Sequence, residues 1–438
     1  THNVSSAASD VYKRQIENRV QILYNRGLFY KVKTNYFKEK KMKTAVIVDS
    51  VRTGLAKSFR GGFNQTRADD MTAHLVNALL ERNPGLDPSL VEDMILGCGA
   101  PEGAQGHNIA RNVAVLSNLP IEVGGTTVNR YCSSGLQTVA MAATQVQSGF
   151  SDCIIAGGVE SISTTQGNTN MHMYVNDKLA ADVPGIYHAM GQTAECVAKR
   201  YNVTREAQDE YALSSQLRTA AAQEAGLYED EIIPMDTVMK LVNKESGEEK
   251  DVEVTVDKDD CNRPETTIEG LQSLKPVFDP ENGSVTAGNS SQLSDGASVT
   301  LVMSEDKAKE LGLTPKLYFR GFTVVGCQPD EMGIGPVYSI PKLLKSAGLS
   351  IEDIDLWELN EAFASQVVYI RDQLKLPSDK LNVNGGSISI GHPFGMTGSR
   401  QVGHLARELN RRDGKYGIVT MCVGGGMGAT GLFEAYKG

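Results

Sequence analysis

The chain alternates between stretches whose apolar residues recur on a helical period and shorter runs that are apolar almost throughout. "AVIVDSVRT", just after Met42, has the alternation of a β-strand. From Cys132, "CSSGLQTVAMAATQVQSGFSDCIIAGGVES" reads as a turn, a helix opened by small residues, a short loop, an apolar strand and a glycine turn. From Gly395, "GMTGSRQVGHLARELNRRDGKYGIVTMCVGGGMG" repeats that order. One unit occurring once in each half predicts a duplicated α/β fold. Both strands are apolar on both faces, as expected for a sheet covered by helices on each side.

The stretch 162–293 between the halves has another character. A polar loop ("STTQGNTNMHMYVNDK") leads into a helical run ("TREAQDEYALSSQLRTAAAQEAGL") and a charged segment whose "DVEVTV" predicts a surface hairpin. It reads as an insertion able to lie over an active-site mouth.

Composition narrows the class. The chain has 438 residues, 40% hydrophobic and 22% charged, as in ordinary globular proteins with two or three packed units. No apolar run approaches the ~18 residues of a membrane span. A net charge of −10 argues against nucleic acid as a partner. Seven cysteines, with no CxxC pair and no zinc-type spacing, fit a reducing compartment in which most cysteines pack and one or two react. Residues 1–41 differ: nine Lys or Arg stand against three Asp or Glu, leaving 34 against 50 in the remainder. The expectation is that 1–41 are a non-native extension, or else a targeting segment, with the protein starting at Met42.

Four segments carry candidate chemistry. In "VNRYCSSGLQ", Cys132 precedes a helix, where bare N–H groups and the dipole favour thiolate and predict a pKa below ~8.5. In "NVNGGSISIGHPFGMTG", His392 sits among glycines and a proline, a candidate base for a nearby thiol. In "MCVGGGMGA", Cys422 ends an apolar strand, where open α/β sheets place their chemistry, and bare N–H groups of the glycines suit an oxyanion hole. In "ELNEAFAS", Asn360 and Glu361 are polar residues in an apolar setting, and a helix cap is the plain explanation. Singly, each has an ordinary structural reading as well: filler cysteine, turn histidine, tight packing, cap.

Together these segments resemble the thiolase family. The matching residues are Val128, Asn129, Cys132, Ser134 and Gly135; Asn360 to Phe363; Gly385 to Gly398; and Cys422 to Gly428, with weaker matches at 157–161, 190–195 and 286–297. The resemblance covers Met42 to Gly438. It implies an α/β fold of two duplicated βαβαβαββ halves in a five-layered α-β-α-β-α arrangement with an inserted loop domain. The first half would span 42–161, completed by about 294–315. The loop domain, covering the active site and binding CoA, would span 162–293, and the second half 316–438.

The resemblance also implies roles. Cys132 would be the acyl-accepting nucleophile, His392 its base, Cys422 the acid/base at the substrate α-carbon, and Asn360 the holder of an oxyanion-site water. The N–H groups of Cys132 and Gly424 would form a second oxyanion site. Ser291 and Ala287 would contact the CoA arm. No metal or other cofactor is expected, coenzyme A being a substrate. The implied activity is degradative 3-ketoacyl-CoA thiolysis in fatty-acid β-oxidation, yielding acetyl-CoA and a shortened acyl-CoA. The alternatives are a biosynthetic acetyl-CoA acetyltransferase and, from another class, a non-catalytic structural or lipid-binding subunit. Cys422 and Asn360 stand where a ketoacyl synthase has histidine. Expected partners are acyl-CoA, a second copy or three further copies of the chain, and a hydratase–dehydrogenase subunit; the expected place is the cytoplasm, or an organelle matrix if 1–41 are a targeting segment. The chain departs from the family pattern at Gly54, at Ser161, Ile162 and Ser163, and at Gln292.

Overall fold

The computed structural model describes residues 42–243 and 245–437. The expectation for residues 1–41 lies outside the described residues. In the first half, β1 (Ala45–Arg52), β2 (Ala56–Lys57), α1 (Ala68–Arg82), β3 (Asp93–Cys98), α2 (Ile109–Leu116), β4 (Thr126–Val128), α3 (Ser134–Gln147) and β5 (Cys153–Glu160) follow in order. The middle stretch holds α4 (Met190–Arg200), α5 (Arg205–Glu224) and a hairpin of β6 (Met235–Val242) and β7 (Glu249–Val256). The long β8 (Ser294–Ser304) then returns to the first half. The second half has β9 (Leu317–Gly326), α6 (Gly335–Ala347), β10 (Leu356–Leu359), α7 (Ala364–Leu374), α8 (Thr397–Arg411), β11 (Tyr416–Val423) and β12 (Met427–Ala435).

Strand pairing displays the duplication. The hydrogen-bonded order is β10-β11-β12-β9-β1-β8-β5-β3-β4, with β2 pairing β8. In the first half β3 and β5 are parallel, and β8 runs antiparallel to β5 and β1. In the second, β10 and β11 are parallel, and β12 runs antiparallel to β11 and β9. The halves meet where Val46 pairs Tyr318 and Ile47 pairs Leu317. The first half shows the full βαβαβαββ order. In the second, the strand corresponding to β4 is reduced to a single bridge between Trp357 and Leu381. The next residue, Asn382, has φ 45° and turns the chain away. Its side chain completes the ladder, with Nδ2 donating to the Leu359 carbonyl at 2.8 Å and Oδ1 accepting from the Leu359 amide at 2.9 Å.

The alternation in β1 divides residues between two cores instead of between core and water. Val46, Val48 and Val51 pack with α1 and α2 on the outer side. Ala45 and Ile47 pack with α3 and α8 on the inner side. In the second half Val419 and Met421 of β11 face the same inner helix pair, while Ile418 faces α6 and α7. Helix α3 and helix α8 therefore lie between two sheet halves that outer helices cover, giving five layers. The polar residues of β1 are buried with partners: Arg52 donates to Glu231 and Asp259 at 2.6–2.8 Å. Gly54 is where the Lys258 carbonyl approaches too closely for any Cβ, so the departure there serves packing against that segment.

Candidate active site

The two inner helices cross at their N-terminal ends, and glycine makes the crossing possible. A Cβ on Gly135 would lie 2.7 Å from the Gly395 carbonyl oxygen and 2.8 Å from the Ser399 nitrogen. A Cβ on Gly398 would lie 2.7 Å from the Leu136 Cβ and 3.0 Å from its Cα. Small residues at the head of each helix thus bring the cysteine turn and the histidine loop together. Buried Glu160, at the end of β5, holds the surrounding turns: it accepts from the amides of Gly99, Ala100 and Gly395 and from Gln105 Nε2 at 2.7–3.1 Å.

Cys132 lies in a 3-10 turn (Tyr131–Ser133) directly before α3. Tyr131 has φ 44°, unusual for a bulky residue, and the turn is held by Asn129 Oδ1 accepting from the Tyr131 amide and by Ser134 Oγ donating to the Tyr131 carbonyl. The Gly424 amide, from the glycine turn after β11, hydrogen-bonds the Cys132 sulfur. The thiol does not have the low pKa expected from its place before a helix. Burial pushes it up to about 11, and the amides of Gly424 and Cys132 itself offset only part of that. Desolvation wins because the sulfur is enclosed by the second half as well as by its own helix.

His392 is 2% exposed, and its hydrogen bonds define its tautomer. The Thr397 hydroxyl donates to the Pro393 carbonyl at 2.9 Å, so its oxygen accepts from His392 Nδ1 at 2.7 Å. The proton is then on Nδ1, and the Nε2 lone pair faces Asn360 Nδ2 at 3.2 Å. Burial, with the Arg400 cation second, pulls His392 down to about 3. The imidazole is neutral with an unprotonated Nε2, as a base requires. Asn360 is held at its other end by Ser387 Oγ, which donates to Oδ1 at 2.6 Å.

Neither Asn360 nor Glu361 is a helix cap, since α7 starts at Ala364 without a side-chain cap. Glu361 instead accepts from Tyr211, Ser215, Asn382 and the Ile388 amide at 2.7–3.1 Å, tying the Asn360 turn to α5 and to the loop before His392.

Cys422, in β11, is fully buried and donates to Gln366 Oε1 at 3.0 Å. Burial raises its pKa, and the neighbouring Cys132 sulfur raises it further. An apolar wall of Ala194, Val285, Met332, Ala362 and Phe363 surrounds it. Beside this wall, Ala287 and Gln292 line a cleft of about 330 Å³ that also contains Arg263 and Leu274. Ser291 donates its amide to the Ala362 carbonyl at 2.9 Å, and Gln292 accepts the His392 amide at 2.9 Å. The departure at Gln292 thus lies between the cleft and the histidine. Thr397 and Gln366 were not singled out in the sequence, although each lies within six residues of a motif residue that was.

The sequence as a whole agrees with this arrangement. Residues 45–306 match the thiolase N-terminal domain, and residues 313–435 match the thiolase C-terminal domain. The chain belongs to the thiolase family. It is 45% identical over 395 residues to the 3-ketoacyl-CoA thiolase of Bacillus subtilis, covering 90% of this chain and all of that protein. It is 44% identical over 398 residues to that of Vibrio vulnificus, with the same coverage. Among solved thiolase structures, the dimeric peroxisomal thiolase of Saccharomyces cerevisiae superposes with TM-score 0.81 at 34% identity, over 92% of this chain and all of that one. The acetyl-CoA acetyltransferase of Bacillus anthracis gives 0.80 at 38%, over 90% of this chain and all of that one. Human mitochondrial 3-ketoacyl-CoA thiolase gives 0.79 at 34%, over 91% of this chain and all of that one. The thiolase fold, with its duplicated halves, is the fold described above.

Proposed function

We infer that this chain is an acyltransferase, a 3-ketoacyl-CoA thiolase that cleaves its substrate with coenzyme A into acetyl-CoA and a shortened acyl-CoA. The observation that carries the reading is the set of groups at the helix crossing: a thiol under the Gly424 amide, a neutral imidazole with an unprotonated Nε2, and a second buried thiol. Relatives matched along their whole length carry that activity in their names. Cys132 attacks the C3 ketone as its proton passes to His392 Nε2. With the thiol near 11 and the imidazole near 3, transfer is coupled to attack and no resting ion pair exists. The C2–C3 bond breaks, its electron pair forms the acetyl-CoA enolate, and the Cys422 S–H protonates C2. The thiol of coenzyme A then attacks the acyl-Cys132 thioester and returns its proton to Cys422, while Cys132 leaves and recovers its own from His392.

Asn360 holds a water beside His392 Nε2 for one oxyanion, and the amides of Cys132 and Gly424 take the other. The segment 162–293 covers this site, and the cleft at Ala287, next to Ser291, takes the coenzyme A arm. Coenzyme A enters as a substrate, and the scheme requires neither metal nor redox group. Run backwards with acetyl-CoA, the same steps are the acetyltransferase reaction, which the likeness to the Bacillus anthracis enzyme supports. The chain acts as a homodimer, a reading that the dimeric yeast thiolase and the exposed Val115, Leu116 and Ile121 near edge strand β4 support. A hydratase–dehydrogenase partner and a place in the cytoplasm complete the proposal; seven unpaired cysteines and the lack of any membrane-crossing helix among the described residues are compatible with that place. Mass spectrometry of protein mixed with 3-ketoacyl-CoA tests the reading. An acyl adduct on Cys132 is expected, and an adduct only on Cys422, or none, refutes it.

A further inference from the structure

Gln366, on the first turn of α7, is wholly buried and spans two parts of the site. Its Oε1 accepts from Cys422 Sγ at 3.0 Å, and its Nε2 donates to the Asn360 carbonyl at 3.4 Å. An amide has a donor end and an acceptor end. A backbone carbonyl can only accept, so Nε2 faces Asn360 and Oε1 is left for the sulfur. Turning the amide over would set carbonyl against carbonyl. In this contact Cys422 must therefore be the donor, with its proton in place. The Gln366 Cβ lies 3.0 Å from where a Cβ on Gly333 would stand, so the side chain is also hemmed in from behind.

We infer that Gln366 is a positioning residue that holds the Cys422 thiol in place for proton transfer at the substrate α-carbon. The inference rests on Cys422 being the proton carrier. The same clamp ties the proton carrier to the turn that supplies Asn360, so the acid and the oxyanion water are held in one register.

Two substitutions separate positioning from packing. Gln366→Met keeps the length and loses both hydrogen bonds. Gln366→Glu keeps the shape and adds a titration: protonated, its O–H can donate to Asn360 while its C=O accepts from Cys422, but ionised it offers only acceptors. Burial holds a carboxyl above its usual ~4.3, bringing that titration toward the assay range. Two half-reactions are read by pH: α-proton exchange of acetyl-CoA by NMR, and acyl loading of Cys132 from a simple acyl-CoA by mass spectrometry. Gln366→Met is expected to lose about 10- to 100-fold in exchange, with loading within about twofold of wild type. Gln366→Glu is expected to regain roughly tenfold in exchange between pH 8 and pH 6, a rise absent from Gln366→Met. Wild-type exchange in Gln366→Met, or equal losses of exchange and loading in both variants at every pH, overturns the inference. Cys422→Ala in the same series tests the foundation: if it exchanges like wild type, the proton-carrier reading falls and this inference with it.

Discussion

Gly398→Ala is a test of whether the helix crossing sets the chemistry. The new methyl would lie 2.7 Å from the Leu136 Cβ and 3.0 Å from its Cα. Non-bonded carbons prefer ~3.5–4.0 Å, so the overlap is about 1 Å. The methyl would also press on the Leu136 nitrogen, so two of the three contacts are backbone atoms of α3, which no rotamer change can move, and the helices must part. Overpacking of this kind costs about 1–3 kcal/mol. Cys132 lies four residues before Leu136, in the turn that leads into α3, and His392 six residues before Gly398, in the loop that leads into α8. Parting the helices therefore separates Cys132 from His392, the proposed nucleophile and base, and a misplacement of ~1 Å costs on the order of 100-fold in rate. The cleft proposed for coenzyme A, lined by Ala287 and Gln292, belongs to another segment and should retain its affinity. Steady-state thiolysis should show kcat down about 100-fold with KM for coenzyme A little changed, and calorimetry a Tm lower by several degrees. Gly326→Ala is the control, because its Cβ meets nothing nearer than 3.8 Å. Wild-type kcat and Tm in Gly398→Ala would refute the argument that this contact aligns the site.

Two further outcomes follow from the site's electrostatics. Cys422→Ala should lose about 100- to 10,000-fold in acetyl-CoA α-proton exchange, or about 3 to 5 kcal/mol of barrier, yet still load acyl groups on Cys132; a mere packing cysteine would cost ~1 kcal/mol of stability and leave exchange intact. His392 is held down near 3 by burial, against an ordinary 6.5, so the unfolded chain binds its proton more readily than the folded one. Its neutral form therefore supports the fold fully above pH ~6.5, and that support is lost as pH falls toward 3, at about 1.4 kcal/mol per pH unit. Denaturant unfolding at pH 7 and pH 5 should show wild type losing about 2 kcal/mol more than His392→Asn, and equal acid sensitivity would refute the assigned neutrality.

The sequence by itself determined the repeated units and singled out the candidate residues, because those signals are local. Apolar period, glycine turns and small helix-opening residues are properties of short stretches, and they place α3, β5, α8 and β11 where the structure has them. Tertiary structure decided what depends on residues far apart in the chain. Position before a helix predicts an acidic thiol at Cys132, but enclosure by the second half reverses the sign, since losing water outweighs a few amide dipoles. The alternation in β1 marks a strand with two faces, but what each face meets was decided by packing, and the second half supplies a core for the inner one. The strand opposite β10 was replaced by the Asn382 side chain, a substitution no hydrophobic period records. The tautomer of His392 and the S–H direction of Cys422 were set by Thr397 and Gln366, whose hydrogen bonds depend on angles and distances that only the packed chain provides.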